Sequence, residues 1–132
     1  MNDEATLLFA NEAFYVAFAA RDLAAMTEVW SSEDPLYCLH PGWPLLSGQT
    51  AVMESWAGIL ASGGGPEIAA DEAVPCLQGD LGLVLCIERL GSGVLAASNL
   101  FRREEGRWRL FHHHAGPTRA APAARPRARV VQ

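Results

Sequence analysis

The sequence predicts an α+β fold in which helices from the first half of the chain pack on a mainly antiparallel sheet from the second half. Apolar residues recur at helical spacing before residue 63, whereas residues 67–115 fall into four strand-like runs. Short turns containing glycine separate these runs, as in a meander. Helices that precede a meander typically form one layer on one face of the sheet.

Three helices are predicted. The first spans residues 3–20, where apolar side chains follow helical spacing. Asp22 is predicted to cap a short second helix. The third is predicted to run from Ser47 or Gly48 to Ser62, where a Gly-Gly-Gly-Pro sequence stops it.

Five strands are predicted. A short one covers residues 36–40, and the longer ones cover residues 67–77, 81–90, 94–103 and 107–115. Pro75 marks the first long strand as an edge strand or as a strand with a bulge. The second long strand is apolar on both faces, so we predict that it is central and covered on both sides.

Composition limits the class of protein. The 132 residues suit a single domain, and 50% of them are hydrophobic, enough for a packed core. No apolar run is long enough to span a membrane, and the acidic N-terminus does not resemble a secretory signal, so the cytoplasm is the expected compartment. The three cysteines have no CxxC spacing, which argues against a zinc knuckle. No cofactor and no membrane partner are predicted.

Charge is distributed unevenly along the chain. Four of the ten basic residues lie in the last fifteen positions, namely Arg119, Arg125, Arg127 and Arg129. The rest of the chain has six arginines against fifteen acidic residues, and this net charge of −9 argues against nucleic acid as a partner. We predict a single domain at residues 1–117 and an Ala/Pro/Arg-rich tail at residues 118–132, mobile or bound to a partner.

A run of three histidines is the most informative local feature. In a regular strand, alternation places His112 and His114 on one face with Trp108 and Leu110, and His113 on the other face. Two imidazoles among apolar side chains predict a polar feature in a cavity, with His112 and His114 as general acid or base groups. The alternative is a structural role in which each is bonded to a neighbouring group. His113 is predicted to point outward, towards an interface.

The same histidine spacing could hold a metal ion if His40 supplied a third ligand. Nothing in the sequence identifies the outer partners that a zinc site requires. No metal is therefore predicted.

Ligand-binding residues are predicted on several elements. His40 and Trp43 lie in a stiff Pro-rich loop that could form a pocket lip, although Trp43 could simply cover the helices. Asn99 lies in mid-strand, where it could orient a ligand or a histidine, or fix the strand register. Tyr15 and Trp56 are predicted core aromatic residues that could also line a cavity.

Two acidic residues are predicted to be structural. Asp34 precedes Pro35 in a turn, so a role in forming the turn is favoured over catalysis. Glu88 lies in an apolar strand and is predicted to pair with Arg102 or Arg109 across the sheet.

Five strings carry a family resemblance. They are Phe14-Tyr-Val-Ala-Phe-Ala-Ala-Arg-Asp-Leu-Ala-Ala-Met26, His40-Pro-Gly-Trp-Pro44, Ser47-Gly-Gln-Thr-Ala-Val52, Ala97-Ser-Asn-Leu-Phe-Arg-Arg103 and Gly106-Arg-Trp-Arg-Leu-Phe-His-His-His-Ala-Gly-Pro117. In this order, and over residues 7–117, the chain resembles the SnoaL-like branch of the nuclear transport factor 2-like superfamily. The histidine run also resembles the last strand of the association domain of calcium/calmodulin-dependent kinases.

The resemblance implies a cystatin-like cone, in which N-terminal helices pack in the concave face of a strongly curved sheet and leave an internal cavity. Members are commonly homodimers that pair through the outer face of the sheet. The superfamily includes ketosteroid isomerases, dehydratases, polyketide cyclases and assembly hubs, so the fold alone does not give the reaction.

Three functions remain open from the sequence. The domain could bind a small, largely apolar molecule in its cavity, with polar contacts from His and Asn side chains. It could be an isomerase, dehydratase or cyclase without a cofactor, using His112 or His114 as acid or base while Asn99 or His40 steadies a developing oxyanion. It could also be a homo-oligomeric interaction module. A homodimer through the outer sheet face is predicted because of Arg89, Arg102, Arg107 and Phe111 on the last three strands.

Overall fold

The computed structural model describes residues 2–62, 67–91 and 93–119. Its helices are α1 (Asp3–Ala20), α2 (Leu23–Val29) and α3 (Gln49–Ala61). Its strands are β1 (Tyr37–Leu39), β2 (Leu46–Ser47), β3 (Ile68–Gln78), β4 (Leu81–Leu90), β5 (Gly93–Glu104) and β6 (Arg107–Pro117). The predicted α+β class is confirmed. The predicted stop after α3, at residues 63–66, and tail residues 120–132 lie outside the described residues.

Side chains from outside the helices set two of the helix starts. The Asp22 carboxylate accepts the backbone N–H of Ala25 at 3.0 Å, as predicted for the cap of α2. The Asp34 carboxylate accepts the backbone N–H of Gln49 at 2.8 Å and so caps α3 from a distant turn. This contact gives Asp34 a structural task. None of the described helices is long and apolar enough to cross a membrane.

The six strands form one sheet in the order β2-β1-β6-β5-β4-β3. Strands β3 to β6 are a meander of antiparallel neighbours, whereas β1 runs parallel to β6. The strand that contains Pro75 lies at the edge, in agreement with the sequence. The two-residue strand β2 was not predicted, because a strand of this length has no periodicity of its own.

The helices cover one face of the sheet, and the core lies between them. Large, fully buried side chains of this core include Leu7, Phe14, Trp56, Val84, Phe101 and Leu110. The opposite face lacks such a cover, since Leu81 and Leu85 are 46% and 44% exposed. The prediction that β4 is covered on both faces is therefore wrong for the single chain.

A β-bulge interrupts the regular alternation of β6. Phe101 of β5 pairs with Leu110, but the preceding residue Leu100 pairs with His112. Phe111 is therefore an extra residue without a partner opposite it. Beyond this point every side chain of β6 points to the face opposite to the one that regular alternation predicts.

The bulge reverses the predicted faces of the histidines. Leu110 and His113 both point towards the helices, and His113 is only 2% exposed. His112 and His114 lie on the outer face of the sheet, where His114 is exposed. The prediction that His112 and His114 face the interior and His113 faces outward is wrong, because it assumed a strand without a bulge.

Candidate functional site

Asn99 is the centre of a buried hydrogen-bond network on the face of the sheet that the helices cover. Its Nδ2 donates to Oδ1 of Asn11 at 2.9 Å and to the hydroxyl of Tyr15 at 3.1 Å. Its Oδ1 lies 2.6 Å from Nδ1 of His113. All four side chains are buried, so bulk water cannot replace a lost partner.

The network determines which nitrogen of His113 carries the hydrogen. Both hydrogens of the Asn99 amide nitrogen are already used, so the amide oxygen faces His113 and accepts from it. Nδ1 is therefore the protonated nitrogen, and Nε2 presents its lone pair. This Nε2 lies 3.8 Å from Oε2 of Glu88.

Glu88 is buried beside the network and does not pair with an arginine. The hydroxyl of Tyr15 donates to its Oε2 at 2.6 Å. The predicted ion pair with Arg102 or Arg109 is wrong, because Glu88 pairs in register with Leu95, far along β5 from Arg102. The guanidinium of Arg102 instead contacts Glu104 at 2.7 Å, and that of Arg109 donates to backbone carbonyls of the α2 region.

Burial moves the pKa values of the acid and the base in opposite directions. It raises the pKa of Glu88, an effect that the hydrogen bond from Tyr15 partly opposes. It lowers the pKa of His113 to about 3, with a further contribution from the neighbouring imidazoles. Burial, together with the charge of Glu88, raises the pKa of Tyr15 far above its usual range, so this residue stays a phenol. Because the pKa of Glu88 is raised and that of His113 is lowered to about 3, a proton shared by the pair sits on the carboxyl rather than on Nε2 of the imidazole.

A second buried histidine, His40, directly follows β1, the strand that pairs with β6. The hydroxyl of Ser55 donates to the carbonyl of Val52 at 2.6 Å, so it accepts from Nε2 of His40, which lies 2.9 Å away. The sulfur of Cys38 lies 3.5 Å from the same nitrogen. Burial lowers the pKa of His40 to about 4, which keeps this imidazole neutral as well.

Aromatic rings surround the two buried histidines. The ring of Trp56 has its centroid 4.8 Å from that of His40 and 6.0 Å from that of His113. Phe14 lies 4.9 Å from His113, and Trp43 lies 4.8 Å from His40 on the solvent side. The two imidazole centroids are 6.4 Å apart, so the histidines and the rings form one continuous cluster.

A tight turn places Trp43 over His40. The N–H of Trp43 donates to the carbonyl of His40 at 2.9 Å, and Gly42 has a φ of +80°. With Pro41 before it, this is the geometry of a type II turn, which favours glycine at its third position. Trp43 remains 45% exposed and forms the outer edge of the cluster.

An open pocket of about 680 Å³ lies beside this edge. It is lined by Trp43, Leu46, Ala51, Glu54, Ser55, Gly58, Ile59 and Ser62. Because Ser55 both lines the pocket and accepts from His40, the pocket borders the buried cluster. Two further pockets lie away from it, one of about 410 Å³ on the outer sheet face and one of about 660 Å³ along α1 and α2.

Four of the five predicted ligand-binding residues come together in the interior, namely Tyr15, His40, Trp56 and Asn99, and Trp43 lies at the edge of the same cluster. The predicted catalytic residues do not join them. The ring centroids of His112 and His114 are 6.5 Å apart on the outer face, on the opposite side of the sheet from His40. These three histidines therefore do not converge, and the alternative metal site that would use them is wrong.

Sequence reasoning missed four members of this cluster. His113 was assigned to the wrong face and Glu88 to the wrong partner. Asn11, a polar residue in the apolar pattern of α1, carried a usable signal, as did the lone carboxyl of Glu88 in its apolar strand. Ser55 carried none, because serine is common on exposed helix faces. Within the described ranges, no three His, Cys, Asp or Glu side chains are grouped as a metal site requires.

Comparison with known proteins identifies the family. Residues 8–119 match the sequence profile of the SnoaL-like domain. The chain belongs to the SnoaL-like family. This places it in the nuclear transport factor 2-like superfamily, in agreement with the resemblance of its sequence strings.

Two solved structures are similar to this SnoaL-like domain at 32% identity. One is a candidate dehydratase of the NTF2-like family from Streptomyces avermitilis, with a TM-score of 0.78 over 89% of this chain and 97% of that one. The other is a candidate calcium/calmodulin-dependent protein kinase type II association domain from Thiobacillus denitrificans, with a TM-score of 0.76 over 83% and 93%.

A curated relative is the F-box protein SKIP8 of Arabidopsis thaliana, which is 26% identical over 111 residues. The match covers 83% of this chain and 48% of the plant protein. The SnoaL-like chain thus spans about half the length of the curated relative that it matches.

Proposed function

We propose that this SnoaL-like domain binds a small, largely apolar molecule between the pocket beside Trp43 and the buried Asn99 network. The observation that carries the proposal is the Glu88–His113 pair, in which both side chains are 2% exposed. Burying ionisable groups costs free energy, and no arginine side chain is buried among the described residues to offset it. Ionisable side chains whose burial costs stability and shifts their pKa values are typical of functional sites.

The chemistry of the lining supports a largely apolar ligand with a few polar contacts. Trp43, Leu46 and Ile59 supply apolar walls of the pocket, whereas Ser55 supplies a polar atom that is hydrogen-bonded to His40 behind it. This combination is typical of small-molecule sites. The ligand would enter past Trp43, whose side chain is the exposed member of the cluster.

Thermal stability in the presence of a library of neutral, small apolar compounds tests this proposal. A ligand that binds the folded state raises the melting temperature, because it stabilises that state by RT ln(1 + [L]/Kd). The rise is expected for the wild type and for the control His114→Gln on the outer face, and we expect it to be lost in His113→Gln. An equal rise in all three proteins would place the ligand elsewhere, and the absence of any ligand would contradict binding itself.

A second function, general acid–base catalysis, is supported by the buried contact between Glu88 and His113, whose pKa values burial moves in opposite directions. The lone pair on Nε2 of His113 could accept a proton from a substrate carbon, while the carboxyl of Glu88 gives its proton to a leaving hydroxyl or to a second carbon. Such a proton balance suits a dehydration or an isomerisation without a cofactor. The similarity to a candidate dehydratase supports the same class.

Steady-state rates on a ligand found in the library test the catalytic proposal. Replacing Glu88 by Gln keeps the shape of the side chain and its bond from Tyr15 but removes the transferable proton, so we expect kcat to fall by about 10²-fold or more. The control Glu12→Gln, on the exposed side of α1, should keep the wild-type rate. Full activity in Glu88→Gln would remove the acid assignment.

We also propose a homodimer through the outer face of the sheet. The face carries Leu81 and Leu85 exposed to 46% and 44%, and the 410 Å³ pocket there is lined by Leu85, Ile87 and His114 among others. The arginines that first suggested the dimer support it less, because Arg89 pairs with Asp71 at 2.7 Å within the chain. Similarity to a candidate association domain supports an oligomer.

Sedimentation velocity tests the dimer. The wild type is expected to sediment as a dimer at micromolar concentration, and Leu85→Glu as a monomer because it buries a charge in the interface. The control Val16→Glu changes an apolar residue on α1 that is 56% exposed, more than Leu85, and should stay dimeric. A monomeric wild type would contradict the proposal.

A further inference from the structure

His114 lies in the middle of the outer sheet surface that the proposed dimer covers. Strand register places it beside Ser98 of β5, which in turn pairs with the exposed Leu85 of β4. Neighbouring strands are about 4.8 Å apart, so His114 lies about 10 Å from Leu85 across this face. A standard interface buries about 800 Å² of each partner, so a contact that covers Leu85 covers His114 as well.

His112 occupies the next row of the same face. It pairs in register with Tyr37 of β1 and with Leu100 of β5, and Leu100 pairs with Leu83 of β4. The ring centroids of His112 and His114 are 6.5 Å apart. The two imidazoles, called here the outer histidine pair, are therefore a polar spot in a face that is otherwise largely apolar.

Among the described residues, no carboxylate pairs in register with either member of the outer histidine pair. Their partners on β1 and β5 are Tyr37, Leu39, Ser98 and Leu100. From β3, the carboxylate of Glu72 lines the same pocket as His114, but it contacts the guanidinium of Arg89 at 3.6 Å. Asp71 contacts the same guanidinium at 2.7 Å. These acids therefore already have a cationic partner within the chain.

The remaining charges near His112 include more cations than anions. Arg102 of β5 pairs in register with Arg109 of β6, and the guanidinium of Arg102 lies 4.9 Å from the ring centroid of Phe111. The nearby carboxylate of Glu104 contacts Arg102 at 2.7 Å. A proton on the outer histidine pair would therefore add positive charge where arginines already use the acids.

Dimerisation makes such a proton more costly. A twofold interface brings the same surface from both copies, so four imidazoles leave water together. A neutral imidazole can be buried with a hydrogen bond, whereas a buried imidazolium needs a counter-charge. In the single chain, burial and the neighbouring His114 already lower the pKa of His112, and the histidines of a second copy act in the same direction.

We infer that the outer histidine pair makes the dimer sensitive to pH: two copies associate while His112 and His114 are neutral and separate when these residues take up protons. The inference rests on the proposed dimer and adds its regulation. Because the free chain binds the protons and the dimer excludes them, association is complete above the ordinary histidine pKa of about 6.5 and is lost as pH falls below it. One excluded proton on each copy weakens association about 100-fold at one pH unit below that value.

Sedimentation velocity at pH 8 and pH 5.5, at one ionic strength, tests the inference. The Kd of the wild-type dimer is expected to rise about 100-fold at the lower pH. The double variant His112→Gln/His114→Gln keeps polar side chains that cannot be protonated, so its Kd should be the same at both pH values. The control Glu12→Gln removes a titratable group from α1 and should keep the wild-type pH dependence. Circular dichroism checks that the chains are folded at pH 5.5, where His40 and His113 reduce stability.

A titration of the imidazole resonances gives a second measurement, which decides the question even where the double variant weakens the interface at every pH. Protons and the second copy exclude each other, so the titration midpoints of His112 and His114 should fall as the protein concentration rises. In Leu85→Glu, which is expected to be monomeric, the midpoints should not depend on concentration. Midpoints that ignore concentration in a wild-type dimer would contradict the inference.

The sedimentation results separate failure of the inference from failure of the proposed dimer. If the wild type is monomeric at pH 8, the proposed dimer and the inference both fail. If its Kd is equal at both pH values, or if the pH dependence survives in the double variant, the dimer stands and the role of the outer histidine pair is wrong. Tighter association at pH 5.5 would mean that carboxylates stabilise the protonated rings, which also overturns the inference.

Discussion

Three adjacent histidines have different environments in this domain because side chains alternate along β6, and the bulge at Phe111 decides that His113 is the one facing the core. His113 is enclosed by Asn99, Glu88 and Phe14, whereas His112 and His114 lie on the outer face. A histidine that donates from Nδ1 and keeps a lone pair on Nε2 is suited to accept a proton from a substrate. The residue type alone did not distinguish the three.

Nuclear magnetic resonance of the imidazole nitrogens tests this assignment directly. We expect His113 to show the Nδ1–H tautomer and to stay neutral from pH 8 down to pH 5, because burial lowers its pKa to about 3. Long-range ¹H–¹⁵N spectra recorded across this range give both the tautomer and the midpoint. A midpoint above pH 6 would contradict the buried, neutral state.

Asn99 connects more buried partners than any other side chain that we describe in the cluster. Asn99→Ala leaves Asn11, Tyr15 and His113 without one bond each, so we expect the free energy of unfolding to fall by about 3 kcal/mol. Urea denaturation measures the change. The neighbouring Ser98→Ala, on the other face of β5, should change it by less than about 0.5 kcal/mol. Equal effects would show that the network does not stabilise the fold.

At the scale of the element, β6 shows which features of a strand the sequence pattern predicts and which it does not. Its start at Arg107 was predicted, because apolar alternation and a preceding glycine turn mark a strand. The bulge at Phe111 was not, because bulges follow from pairing between strands and leave no fixed residue signature. One unpaired residue was enough to exchange the interior and exterior sides of the histidine run.

The packing of α1 on β4 depends on the absence of a side chain at Gly82. A Cβ at this position would lie 2.8 Å from both terminal methyl groups of Leu7, which is itself fully buried. We expect Gly82→Ala to destabilise the protein by about 1–3 kcal/mol through overpacking. The measurement is a double-mutant cycle by urea denaturation with Leu7→Ala, in which the clash should disappear.

Gly58 is the control for this cycle. A Cβ there meets no atom within 4 Å, and the residue lies inside α3. Gly58→Ala should therefore raise the free energy of unfolding by about 0.5–1 kcal/mol, as expected for a helix interior. If Gly82→Ala has the same stabilising effect, close packing at Leu7 does not limit this interface.

At the scale of the whole molecule, the buried ionisable groups make stability depend on pH in two opposite senses. His40 and His113 have pKa values lowered to about 4 and about 3, so below pH 6.5 the unfolded chain binds protons that the folded chain does not. Stability is therefore lost as pH falls through this range. Glu88 has a raised pKa, so its contribution is lost as pH rises above 4.5, where the unfolded carboxyl ionises first.

Urea denaturation between pH 5 and pH 9 tests both effects, the loss of stability that the histidines cause at acid pH and the loss that Glu88 causes as pH rises. Between pH 6 and pH 5 each histidine should lower the free energy of unfolding by about 1.4 kcal/mol per pH unit, whereas Glu88 acts in the opposite sense. His113→Gln should therefore reduce the measured loss of stability by about 1.4 kcal/mol per pH unit relative to the wild type. Towards alkaline pH, Glu88→Gln should be more stable relative to the wild type than at pH 5. A slope that neither variant changes would mean that these groups are not the source.

The sequence by itself determined the α+β class, the order of helices and longer strands, and the family, because periodicity, caps and turn residues are local properties of the chain. It also identified Tyr15, His40, Trp56 and Asn99 as candidate site residues, since polar and aromatic residues in apolar segments need partners. Only the tertiary structure decided which histidine enters the core and that Glu88 faces it. Those results depend on strand pairing and on a single bulge, and pairing joins residues that lie far apart in the sequence.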